Sequence, residues 1–216
     1  MMPARPFVSA APYQLHLNPV TGERVVVLTD PRQHPDEILV GHLTVEPGGR
    51  VAAPHHHPTL TERFLVLEGE VGFRLDGREV VLGAGEHATV EPNVVHDWWQ
   101  VGDDPAEVVV EVGPGRRFAE VISSLFGLAR DGKVNSKGMP SPLQGALWGA
   151  EYGDVIVFES PPRIIQRLTI PLLAPIGRMR GLRPSYEEYL QGGGTAEPDP
   201  RALAELTSDG RLRPFD

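Results

Sequence analysis

Between residues 37 and 114 the chain is written in short β-branched runs. They read I-L-V-G-H-L-T-V, F-L-V-L, E-V-V-L and E-V-V-V-E-V, and P-G-G, L-D-G-R, G-A-G and G-D-D-P turn signals separate them. Hairpins at this regular spacing suit a jelly roll, in which two sheets enclose a pocket. The 24 glycines and 22 prolines favour a turn-rich β architecture, and the 40% hydrophobic fraction argues against disorder. A chain of 216 residues can bury a core without covalent staples. It contains no cysteine, which excludes disulfides, thiolate nucleophiles and zinc-thiolate sites.

One set of side chains is placed to use such a pocket. In an extended strand successive side chains alternate faces, so His55 and His57 share a face while Pro54 and His56 take the other. Pro58 to Thr61 reads as a turn, and E-R-F-L-V-L then puts Glu62, Phe64 and Val66 on one face. This brings a carboxylate to the paired histidines across neighbouring strands.

The spacing itself is informative. Gly49 is followed by five residues, His55, one residue, His57, four residues, Glu62, six residues and Gly69. This resembles the first motif of the cupin superfamily position by position. A second cupin motif, Pro-x-Gly-x-x-His-x-x-x-Asn, is resembled by Glu91-Pro92-Asn93-Val94-Val95-His96 through Gln100, following Gly85. Glu91 replaces the usual proline, Asn93 the glycine and Gln100 the asparagine. Asparagine is the non-glycine residue that best tolerates positive φ, so Asn93 can keep the turn. Fifteen residues separate Gly69 from Gly85, as in compact bacterial cupins.

The resemblance covers roughly residues 37 to 114, about a third of the chain, and implies a mainly β, cupin-type jelly-roll barrel with a C-terminal α-helical extension. It implies one divalent transition metal held by His55, His57, Glu62 and His96. Three neutral imidazoles and one carboxylate suit Mn, Fe, Co, Ni or Zn far better than Ca or Mg. On a six-coordinate ion they leave two cis positions open. Two functions are compatible with this. The first is a metal-dependent, oxygenase-type enzyme acting on a small organic substrate coordinated to the ion, with Glu62 as catalytic base. The second is a non-catalytic binding module whose extension mediates oligomerisation or surface docking. A barrel mouth plugged by the extension favours the module, and an apolar mouth with several acid-base groups favours the enzyme.

Phe64, Trp98 and Gln100 share the inward parity and are expected to line the substrate pocket; for Trp98, core packing is the equal alternative. His56 and His87 fall out of phase with the cluster, and His16, His34 and His42 have no partner spacing. No nucleophile elbow, phosphate loop or dinucleotide fingerprint is present.

The expected organisation is an N-terminal arm with flanking strands (1–36, including Arg24 to Leu28), the barrel (37–114), a helical extension (115–190) and a flexible tail (191–216). Phe118, Val121, Ile122, Leu125 and Leu128 form one helical stripe between Arg117 and Ala129, expected to pack on a sheet. Gly145, Gly149 and Gly153 recur at four-residue steps and imply close backbone approach to another element. Beyond Pro161-Pro162 the pattern suits a Pro-kinked helix, and Asp199-Pro200 opens a short one. From Ser160 to Tyr186 five arginines meet no acid, so this segment carries +5 and the remainder −14, against −9 for the whole chain. The ordinary expectation is that it packs on the acidic barrel or on a second subunit of a homodimer; the sharper one is weak contact of 160–186 with an anionic membrane surface. Removing residues after about 140 is then expected to leave a folded, metal-loaded barrel. The acidic balance gives no general affinity for nucleic acid. Met1 to Pro12 has neither a basic start nor an apolar run, and cytoplasm is the expected compartment.

Overall fold

A computed structural model describes residues 12 to 215. The Pro-rich arm and the leader reading fall on residues 1 to 12, and all but Pro12 lie outside the described residues. Ten strands open the fold: β1 (Tyr13–Asn18), β2 (Glu23–Thr29), β3 (Leu39–Val45), β4 (His55–His56), β5 (Thr61–Glu68), β6 (Glu70–Leu75), β7 (Arg78–Leu82), β8 (His87–Val90), β9 (His96–Val101) and β10 (Ala106–Gly113). The extension holds α1 (Arg116–Arg130), α2 (Pro142–Glu151), β11 (Val157–Phe158) and α3 (Arg163–Met179). It is followed by α4 (Glu187–Leu190), β12 (Gly194–Ala196) and α5 (Pro200–Ala204).

The strands form two antiparallel sheets, one ordered β12-β1-β2-β3-β10-β5-β8 and the other β11-β4-β9-β6-β7. Alternation along β5 buries Glu62, Phe64 and Val66, and alternation along β9 buries His96, Trp98 and Gln100. Between the sheets Leu43, Val45, Phe64, Val66, Val71, Phe73 and Trp98 make a filled apolar interior. Asn93 has φ 68°, the left-handed turn expected of it. Gly69 has φ 75°, and a Cβ there would lie 2.7 Å from the Pro105 carbonyl oxygen, so two constraints exclude a side chain.

The expected stripe on α1 is buried, with Phe118, Val121, Leu125 and Leu128 facing Leu60 and Val112 of the barrel and Trp148, Tyr152 and Val155 of the extension. Helix α2 starts where Ser141 accepts a hydrogen bond from the Gln144 N–H at 3.3 Å and Pro142 presets the first turn. Close approach is realised at Gly149, where a Cβ would meet the Ile170 side chain of α3 at 2.5 Å; at Gly145 nothing stands within 4 Å.

The tail departs from expectation. Residues 191 to 215 are docked, not free: β12 pairs with β1, Asp199 caps α5 through the Arg201 N–H at 2.8 Å, and Leu206 and Leu212 are buried. Arg63 donates to the Leu212 carbonyl at 2.9 Å, and the Leu212 N–H donates to Glu111 at 2.6 Å. Phe215 stacks on His87 with ring centroids 4.1 Å apart. A Gly-rich composition signalled flexibility, but backbone pairing and a few apolar anchors fix the segment. The arm boundary shifts likewise, because β1 and β2 continue the same sheet as β3.

Candidate metal centre

Strands β4 and β9 are neighbours, and their register sets His55 directly opposite His96, with ring centroids 4.3 Å apart. His57 follows β4 on the same face, its ring centroid 4.9 Å from that of His55. Glu62 comes from β5 in the facing sheet, so the carboxylate reaches the imidazoles across the barrel and not across neighbouring strands. The chain changes sheets through the turn at 58–60, which alternation along one strand could not reveal. One ligand atom from each of the four residues lies within 4.8 Å of the others.

The hydrogen bonds decide which nitrogens are available. His55 Nδ1 lies 2.9 Å from the Ala53 carbonyl oxygen, His57 Nδ1 2.7 Å from that of Val155, and His96 Nδ1 3.0 Å from that of Val94. A carbonyl can only accept, so each Nδ1 carries the proton and each neutral ring offers an Nε2 lone pair. Glu62 Oε2 lies 2.9 Å from His96 Nε2 and 3.3 Å from His57 Nε2. These three buried atoms nevertheless have no hydrogen-bond partner of acceptable geometry. With neutral rings the close contacts are between acceptors, which repel at this separation unless a cation sits among them. A transition metal bound by imidazole and carboxylate meets that requirement, so the residues fit a metal ion.

Burial shapes the electrostatics. It pushes the His55 imidazole down to about 3, with the neighbouring His96 and His57 rings adding to the effect. Burial alone would raise Glu62, but the His57 and His96 rings hold its carboxyl well below the ordinary carboxylate range. For His96 burial opposes protonation and the Glu62 carboxylate prevails, raising it. The cluster thus keeps an ionised carboxylate beside imidazoles, the donor set a divalent cation neutralises.

The extension closes the site. The Phe118 ring of α1 meets His57 edge-on at 5.4 Å, β11 pairs with β4 opposite His55 and His56, and the Phe158 ring stands 6.1 Å from His55. Exposure falls to 1% for His57 and His96 and 4% for His55 and Glu62.

Of the expected pocket residues, Phe64 and Trp98 sit in the filled interior. Gln100 lies four residues along β9 from His96, roughly 13 Å away at strand rise. Its amide N–H groups donate to the carbonyls of Val101, Gly102 and Asp104 at 2.8, 3.0 and 2.7 Å, and its oxygen accepts from Gly48. It therefore organises the turn at the far end of the barrel and takes no part in the cluster. His56 points away and bonds Glu159 at 2.8 Å. His16, His34 and His42 are buried but apart from the cluster. The alternation rule did not reach Phe118, Val155 and Phe158, because all three lie outside the barrel sequence and β11 is too short to carry a periodicity.

Two antiparallel sheets around an inward three-histidine, one-glutamate cluster define a cupin barrel. Residues 41–112 match the family model described as a cupin domain, and this part of the chain is a cupin domain. Germin-like protein subfamily T member 2 of Arabidopsis thaliana is 35% identical over 107 residues, 47% of this chain and 48% of the relative. The chain thus spans about half the length of that curated relative. Among solved structures, an RmlC-like cupin from Shewanella frigidimarina is 21% identical with a TM-score of 0.43, covering 51% of this chain and 93% of that one. The nucleoside dehydratase Pac13 is 20% identical with a TM-score of 0.40, covering 50% and 80%.

Proposed function

We propose that His55, His57, Glu62 and His96 hold one divalent transition-metal ion and that the protein is a metal-dependent enzyme of oxygenase type acting on a small organic molecule. The tautomer pattern carries this reading. Three carbonyls fix three Nδ1–H groups, so three Nε2 lone pairs and one ionised carboxylate converge on a single buried point. When bound, an ion would supply Lewis acidity and a template for substrate at its remaining positions. Glu62 is the one carboxylate of the cluster and is the candidate acceptor for a substrate proton. Phe118 and Phe158 line the side of the site nearest the extension, where they exclude water and so strengthen every charge interaction inside.

The second reading is a module that holds a ligand on the ion without turnover. Closure of the site beneath the extension favours it. One experiment separates the two. Protein purified without a histidine tag is analysed for metal by mass spectrometry, then screened for oxygen uptake with enolic and phenolic compounds. About one ion per chain with uptake supports the enzyme, and a tightly held ion without turnover supports the module. Protein that neither retains nor takes up a transition metal overturns both.

A further inference from the structure

Helix α3 has two unlike faces. Ala174 and Gly177 face α2 and are buried, with Gly177 set against the Leu147 side chain. At 100° per residue the opposite side carries Ile164, Ile165, Leu168, Leu172, Ile176 and Met179. These are six of the nine large hydrophobic residues exposed among the described residues, with Ile164 69%, Leu168 67%, Leu172 69% and Met179 79% accessible. A stripe this concentrated on one helix exceeds the scattered apolar exposure of an ordinary surface.

The stripe has a basic frame. On the same helical projection Arg167 and Arg178 border one edge and Arg180, just past the last turn, borders the other, while Arg163 opens the helix on the side away from the stripe. No acidic residue occurs between positions 160 and 186. Arg178 lies 3.6 Å from Glu151 of α2, while Arg163, Arg167 and Arg180 have no carboxylate partner among the described residues. Self-association through this face would set arginine against arginine with no acid from α3 itself to answer it. An apolar layer beneath a negatively charged plane answers both features at once. Helix α3 has 17 residues, and no described helix is long and apolar enough to cross a membrane, so the fitting geometry is parallel to the surface.

We propose that α3 docks the protein on anionic phospholipid membranes, with its outer apolar stripe at the acyl boundary and its arginines at the headgroups. The test is flotation of the full-length protein with vesicles of phosphatidylcholine alone or mixed with phosphatidylglycerol. The expected result is co-flotation with the mixed vesicles only, weakened by salt. Arg167→Gln or Arg180→Gln should lower the partition about fivefold each, and Leu168→Gln with Leu172→Gln about tenfold or more. These side chains are exposed, so thermal melts of the variants should match wild type. Wild-type protein that stays unbound, or that binds neutral and anionic vesicles equally, overturns the proposal. So does a light-scattering mass of two chains that the Leu168→Gln, Leu172→Gln variant reduces to one, because a second copy then covers the face.

Discussion

His57 and Val155 stand 98 residues apart in the chain, yet the Nδ1 of one lies 2.7 Å from the carbonyl oxygen of the other. The cupin barrel supplies the imidazole, and the segment between α2 and β11 supplies the acceptor that sets its tautomer. A candidate metal ligand is therefore oriented by sequence that lies outside its own domain. Orienting partners of this kind typically change metal affinity by about 10- to 100-fold.

Loss of a ligand should cost more than loss of an orienting partner. His96→Ala and His57→Ala are expected to lower metal affinity by more than about 100-fold. His56→Ala and His87→Ala should retain the ion, since His56 bonds Glu159 and His87 stacks on Phe215. Metal content of each purified variant checks this, and full occupancy in His96→Ala would refute the ligand assignment.

Glu62→Gln should separate binding from chemistry. A neutral amide can still ligate weakly, but it cannot take a proton. Given an identified substrate, turnover is expected to fall by about 100-fold or more while a substantial part of the metal remains. Wild-type turnover in this variant would show that Glu62 is not the base.

His16 gives the fold an acid limit. Burial pushes its imidazole down to about 4, with Arg130 and Arg32 adding to the effect. Its pKa is lower folded than unfolded, so between pH 6.5 and 4 the unfolded chain binds more protons. Stability from this group is complete above about 6.5 and declines as pH falls toward 4, by up to about 3 kcal/mol. His16→Gln should flatten the dependence of Tm on pH across that window. An NMR titration placing His16 near its ordinary value would contradict the assignment.

The barrel is not expected to survive alone. Truncation after residue 140 removes the Trp148, Tyr152 and Val155 packing on α1, the Leu206 and Leu212 packing on the first sheet, and the acceptor of His57. The sequence expectation of a separable, metal-loaded barrel is replaced by that of an aggregating or loosely packed fragment. Within the full chain, Leu212→Ala should cost about 2–4 kcal/mol, because the side chain is 2% exposed. A truncated protein with a cooperative melt and a bound ion would reverse this.

Alternation was enough to place Phe64 with Glu62 and Trp98 with His96, because a period of two is imposed by the strand itself. Helical spacing likewise located α1, and Asp199-Pro200 located α5. Alternation could not tell which sheet a strand joins, so Glu62 was placed beside the histidines when it faces them. Nor could parity distinguish the His96 end of β9 from the Gln100 end, since depth along a barrel leaves no periodic trace. The docked tail and β11 escaped for a related reason. Pairings of two or three residues across long sequence separations have no local signature.

The β11–β4 pairing bears on how kinship should be read for this molecule. A match confined to 41–112 contains every candidate ligand and the carbonyls that orient His55 and His96, but omits Val155, which orients His57, and the rings of Phe118 and Phe158 that cover the site. Two chains can therefore agree at His55, His57, Glu62 and His96 and still differ in which ring nitrogen faces the ion and in what can reach it. Grafting the four residues onto another barrel would transplant the donors without the Val155 carbonyl that sets the His57 tautomer. Substrate range in such chains is better compared through the segments equivalent to 118 and 152–158 than through the shared motifs.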